Sequence, residues 1–205
     1  MTLPTSYSWS PVGEALRVAY EAPQGRRVNA VGAYFSAGPD AGGLQWASFA
    51  SVPKQKGKTK RKTPAEIAAA HGLEPDVLGP IESQRLLWFV WRIAGRPDIY
   101  PQDWRRARPL WIVLDNYSVH KSQTIKEARS ELEAAHIFLW YLPAYSPELS
   151  EIEPIWRSVK GHGMPYRSQS ILGQMKRAVD EALSDKARQL REEKTKTTNF
   201  ECLAA

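Results

Sequence analysis

Cysteine is almost missing from this 205-residue chain: Cys202 is the only one. A lone thiol excludes an internal disulfide and any multi-cysteine metal site, and it fits a reducing cytosol. Long apolar runs are missing as well. The most apolar stretch, LLWFVWRIA over Leu86–Ala94, is too short to cross a bilayer and contains Arg92. Met1–Gly13 has neither a basic start nor an apolar core of signal-peptide length, so neither secretion nor a membrane is expected. Gly32, Gly38, Gly42 and Gly43 build no phosphate-cradling loop, and there is no G-x-S-x-G elbow and no GK[ST] loop. No internal repeat is visible.

What is present is an ordinary globular composition, 42% hydrophobic and 24% charged, which excludes wholesale disorder, collagen and coiled coil. Lys and Arg number 28 against 22 Asp and Glu, a net charge of +6 that suits a polyanionic partner without proving one. Six basic residues and no acidic one crowd into Lys54, Lys56, Lys58, Lys60, Arg61 and Lys62. Such a run cannot pack; it reads equally well as a solvated loop and as a phosphate-tracking one. Arg105, Arg106 and Arg108 flank Trp104, which would allow phosphate contact with stacking. Trp88 and Trp91 are assigned to the core.

The pattern along the chain predicts a meander, then helices, then a strand–helix–strand step. Strands are expected at Leu16–Tyr20, Arg27–Phe35 and Leu44–Ala50, with turns at Trp9–Gly13, Ala22–Gly25 and Ala37–Gly43. Helices are expected at Ala65–His71 and at Ile81–Ala94, opened by Pro80 and stopped by Gly95. LWIVLD over Leu110–Asp115 is nearly unbroken in apolar character, as in a strand covered on both faces. A helix over Ser122–Ala135 and a strand over His136–Leu142 follow, implying a parallel pair with a right-handed crossover. Pro143–Glu151 reads as a loop, Pro154 as the first turn of a helix, and Ile171–Leu190 as a last amphipathic helix before a frayed tail.

Two carboxylates stand out. Asp115 ends an apolar strand, where ligands of open α/β sheets gather. Glu153 precedes a proline and so is expected at a helix cap rather than inside the helix. Each alone reads at least as well as a cap or turn residue. Together, with 37 residues between them that spend one helix and one strand, they can meet over one end of the sheet. Two close anions repel, and a hard divalent cation relieves this, as in Mg²⁺-assisted phosphoryl transfer. Asn116 and His120 follow Asp115 and would act behind the metal ligands or on phosphate, although His120 alone reads as a loop histidine. His71, His136 and His162 read as surface or helix-end residues.

LDNYSVHKS over Leu114–Ser122 and YLPAYSPELSEIEPIW over Tyr141–Trp156 together resemble the catalytic core of the mariner-like bacterial insertion-sequence transposases. Looser likeness reaches upstream to Trp9–Gly13 and Val28–Ala33, so that it spans roughly residues 5 to 165. The resemblance implies an α/β, RNase H-like mixed sheet flanked by helices and a DDE-type site using Mg²⁺ or Mn²⁺. In it Asp115 matches the second catalytic Asp and Glu153 the third acidic residue, both as metal ligands; Asn116 and His120 accompany the second Asp. Lys160 would face DNA from the following helix. The spacing of the two carboxylates is slightly longer than the family's usual one.

The resemblance further implies DNA partners, both transposon ends and target, assembly as a homodimer, and a bacterial, cytoplasmic, nucleoid-associated location. Residues 1–165 are expected to form the catalytic domain, with a basic insertion at about 51–80, and residues 166–205 a C-terminal helix and tail. The family's first catalytic Asp lies on a first strand ahead of the turn resembling Trp9–Gly13. No Asp precedes Asp40, and Glu14, Glu21 and Asp40 are not expected to substitute. The sheet is therefore expected to lack its first strand and the chain to be weakly active alone. The rival expectation is a non-catalytic DNA-binding or dimerising remnant.

Overall fold

The structure, a computed structural model, describes Val12 and residues 27–51, 62–164 and 171–203. The expected strand at Leu16–Tyr20, the turns before it (Val12 apart) and after it, and the basic residues Lys54, Lys56, Lys58, Lys60 and Arg61 lie outside the described residues. The described parts hold strands β1 (Arg27–Tyr34), β2 (Leu44–Ser51), β3 (Leu110–Leu114) and β4 (Ile137–Tyr141). The helices are α1 (Pro64–His71), α2 (Ser83–Ile93), α3 (Gln123–Ala134), α4 (Ile152–Ser158) and α5 (Leu172–Leu203). β1 pairs with β2 and β3 with β4 in two small sheets. This mixed α/β architecture is compatible with an RNase H-like fold. No helix among the described residues is long and apolar enough to cross a membrane.

The chain divides into two compact units. One holds Val31–Ala47, Ile81–Ile155 and Leu190–Ala205. Its core comes from α2 (Leu86, Val90, Trp91), α3 (Ile125, Ala128, Leu132) and β4 (Ile137, Leu139), with Leu110, Ile112 and Leu114 of β3 packed on it. β3 and β4 run parallel, with Leu110 opposite Ile137 and Leu114 opposite Tyr141. The intervening helix buries the side predicted from its spacing, Ile125, Ala128 and Leu132, followed by Ala135. Arg96 locks the rim: its guanidinium lies 3.8 Å from the Trp91 ring centre and 4.3 Å from that of Tyr100, and 3.3 Å from Glu131 Oε1.

Three expectations are corrected here. Among the described residues, the β3–β4 sheet is covered on one face only: Trp111, Val113 and Trp140 are 62%, 57% and 63% exposed, and Trp111 stacks on Phe138 at 4.6 Å. An unbroken apolar run carries no period, so it cannot reveal which face is bare. Trp88 is half exposed beneath Arg92 rather than buried. Trp104, whose place among arginines would allow stacking beside a phosphate contact, instead packs on the core edge-on to Trp91 at 6.4 Å.

The other unit holds Ser48–Pro80 and Trp156–Gln189 together with the residues up to Ala30. Ala50, Leu172 and Met175 form a small core with Val28, Leu73 and Leu78 around it. Ser48 Oγ donates to Asp180 Oδ1 at 2.6 Å, and Lys176 Nζ reaches Asp180 Oδ2 at 2.8 Å. Thr63 and Glu66 form a capping box on α1, and the hydrogen bonds from Thr63 hold the Glu66 carboxyl below its usual range, with Lys62 adding to the effect. A side chain on Gly173 would collide with the His71 carbonyl, which explains a glycine inside α5. α5 runs on to Leu203, past the end of its apolar pattern at Leu190.

One-sided coverage of β3–β4 fixes the energetics of substitution there. Leu132→Ala removes a fully buried side chain and is expected to cost about 3 kcal/mol. Trp140→Ala is expected to cost less than about 1 kcal/mol despite the larger deletion, because its ring is mostly in water. Urea unfolding of the two variants compares them directly.

Candidate active site

Parallel pairing delivers the C-terminal ends of β3 and β4 to one edge. Two bonds stitch that edge: Leu142 N donates to Leu114 O at 2.9 Å, and Asn116 Nδ2 donates to Leu142 O at 2.7 Å. Asn116, expected beside the metal ligands, thus ties the loop after β3 to the loop after β4. The latter contains a 3₁₀ turn, Pro147–Leu149, and leads into α4.

Asp115 is the first residue past β3, and its carboxylate turns back on its own loop. Oδ1 accepts from Tyr117 N at 2.9 Å and lies 2.7 Å from His120 Nδ1. This is an Asx turn, and it starts the 3₁₀ segment Ser118–Lys121 that carries His120. The His120 side chain is 19% exposed and that of Asp115 62%. Both contacts fall on Oδ1, so Oδ2 has no partner among the described residues and faces water.

His120 is held in turn by Tyr141, whose hydroxyl donates to the His120 carbonyl at 2.8 Å. Burial pushes the Tyr141 phenol above its ordinary range, and the charge of Arg129 only partly opposes this. The phenol therefore remains a donor through neutral pH. A raised folded-state pKa means that its contribution to stability is present below the ordinary tyrosine range and is lost as pH rises through the folded value. Tyr141 escaped the sequence reading because a tyrosine ending an apolar strand looks like core.

Glu153 lies in the first turn of α4, inside the helix rather than at its cap as expected. The helix starts at Ile152, and in a first turn the missing N–H of Pro154 costs no intrahelical bond, so proline tolerates the placement. Ile155 is buried, Glu153 is half-buried, and the Glu153 carboxylate has no partner among the described residues. Asp115 Oδ2 and the Glu153 oxygens are hard anionic donors of the kind Mg²⁺ and Mn²⁺ take. Among the described residues, no three His, Cys, Asp or Glu side chains gather as a metal-holding group.

The basic residues fare unequally. Arg105 is exposed and has no partner among the described residues. Arg106 is used inside the fold: its guanidinium donates to the carbonyls of Ala94 and Arg108, and its backbone bonds to Ala135 and to the His136 ring. Lys160 is exposed in the π-helical turn Val159–Gly163. Lys62 sits beside the Thr63 cap of α1.

Residues 98–176 match the family model of the DDE superfamily endonuclease. That stretch contains β3, α3, β4, α4 and both carboxylates, and the match supports a DDE-type transposase/endonuclease domain there. No curated protein matches the chain.

Tyr141→Phe removes the donor to His120 while keeping the ring. The expected result is a loss of about 1 kcal/mol in urea unfolding. Faster hydrogen exchange at the His120 and Ser122 amides, both inside the turn that Tyr141 pins, is expected with it.

Proposed function

We propose that the chain is the catalytic domain of a mariner-like bacterial insertion-sequence transposase that cuts and joins DNA strands with the aid of a divalent metal. The observation that carries this reading is Asp115: a carboxylate at the end of a parallel strand, one oxygen held by His120 and the other open, inside the stretch that matches the DDE superfamily endonuclease. An acidic residue held this way serves the turn with one oxygen and leaves the other to face outward.

Asp115 Oδ2 and the Glu153 carboxylate are the proposed ligands. The bound Mg²⁺ or Mn²⁺ would neutralise charge on the scissile phosphate and lower the pKa of the attacking water. Hydrolysis breaks the bond from phosphorus to the 3′ oxygen and leaves a 3′-hydroxyl, which then attacks a phosphodiester of the target and displaces the target strand's own 3′-oxygen as a hydroxyl. His120 keeps Asp115 from swinging, and Asn116 keeps the two loops together. Arg105, Lys160 and the basic run at Lys54–Lys62 are the proposed phosphate contacts, giving binding that weakens steeply with salt. Assembly of two copies on paired transposon ends belongs to the same reading.

Calorimetric titration with Mn²⁺ tests it. Binding to the wild-type chain should disappear in Asp115→Asn and in Glu153→Gln, while both variants keep the wild-type melting temperature within about 2 °C, as exposed or half-exposed substitutions do. Metal binding that survives both substitutions would overturn the assignment. Metal-dependent nicking of supercoiled DNA, absent in the same two variants, is the matching activity readout.

A further inference from the structure

Tyr145 has no structural reason to be where it is. It lies in the turn between β4 and α4 with φ of 59°, in the left-handed region, and the residue is fully exposed. A bulky residue pays steric strain for that backbone, and glycine or asparagine would pay far less. A ring wholly in water returns nothing to the fold.

The other non-glycine residue with positive φ, His136 at 61°, shows what a compensated case looks like. It follows the end of α3, where left-handed backbone closes helices. Its N–H donates to Glu133 O, its carbonyl accepts from Leu110 N, and its ring meets the Arg106 carbonyl at 2.9 Å. Tyr145 has no such bond among the described residues. Strain without local compensation marks a residue used for something outside the fold.

The place narrows the use. The root of the turn, Leu142, is bonded to Leu114 and Asn116 on either side of Asp115. The turn continues through Ser146, whose carbonyl accepts from Leu149 N at 3.2 Å, toward Glu153. An outward aromatic ring thus stands on the segment joining the two proposed metal ligands. Resting on the DNA-cutting reading above, we propose that Tyr145 is a substrate-binding residue that stacks on an unpaired nucleobase beside the phosphate being cut. In a duplex the base faces are covered by their neighbours, so a lone ring finds a partner only at a frayed, nicked or free end.

The test uses the full chain and two oligonucleotide duplexes, one with a short unpaired end carrying 2-aminopurine, the other blunt and fully paired. Wild-type protein should quench the unpaired 2-aminopurine. Tyr145→Ala should lose that quench and bind the unpaired end about tenfold more weakly, with the blunt duplex changed by less than about twofold. Tyr145→Phe should restore both. Tyr145→Gly should match alanine on DNA yet melt no lower than wild type, because the strain is gone. Wild-type behaviour of Tyr145→Ala on the unpaired end would overturn this proposal alone. So would equal losses on both duplexes with a lowered melting temperature. A wild-type chain that binds neither duplex would overturn the DNA-cutting reading as well.

Discussion

The parallel ladder between β3 and β4 is the constraint on which the candidate site depends. Its register sets Leu114 against Tyr141, so Asp115 and Leu142 leave the sheet side by side. Everything that shapes the carboxylate then follows from short-range bonds. Asn116 reaches the neighbouring loop, Tyr141 pins the His120 carbonyl, and His120 holds Asp115. A slip of one residue would turn Tyr141 to the bare face and break this chain of contacts at its second link. The ladder can carry that load because α2 and α3 press Leu110, Ile112, Ile137 and Leu139 from one side.

The same layout explains how an exposed carboxylate is kept still. Surface ion pairs contribute little on their own, and the Asp115–His120 contact would be no exception if both partners were free to move. Here His120 is mostly shielded and belongs to a 3₁₀ turn anchored by a partly buried phenol. The rigidity comes from burial beneath the turn, and the carboxylate borrows it. One oxygen is spent on this anchoring, which leaves the other open to a cation.

Much of this was legible in the sequence, and what was not has physical causes. Apolar spacing in Ile125, Ala128 and Leu132, bounded by strand formers, marked the strand–helix–strand step, because a helix with one buried side must repeat near every third or fourth residue. The place of Asp115 just past an apolar strand was legible, whereas the bond from Asn116 to Leu142 was not, because it depends on which loop the parallel ladder brings alongside. The bare face of Trp111, Val113 and Trp140 was not, since an unbroken apolar run lacks the alternation that would mark a side. Nor was the fate of Arg106, which composition assigns to a phosphate and geometry assigns to the end of α2. α5 outruns its pattern because the charged segment past Leu190 needs no buried stripe: local contacts such as Thr195 Oγ1 to Arg191 O suffice, and Gly42, with φ of 82°, leaves room for Lys194 to pack close.

Local rules fail mostly at one place. Tyr145 takes a backbone that suits glycine, Glu153 sits helical before a proline, and Asp115 spends an anion on a partly solvated edge. Ser122 Oγ, at the cap of α3 just beyond His120, is buried and has no partner among the described residues. The left-handed backbone of Tyr145 and the buried Ser122 Oγ cost stability with no compensating bond among the described residues, whereas Asp115 is held by Tyr117 and His120. The departures elsewhere are repaid: His136 closes a helix, Gly173 admits the His71 carbonyl, and Arg106 caps two carbonyls. Sequences that specify one fold keep their levels consistent except where a site demands otherwise. These departures cluster between β3 and α4, the edge that carries the proposed site, while the helix-backed face of the sheet supplies the stability they consume.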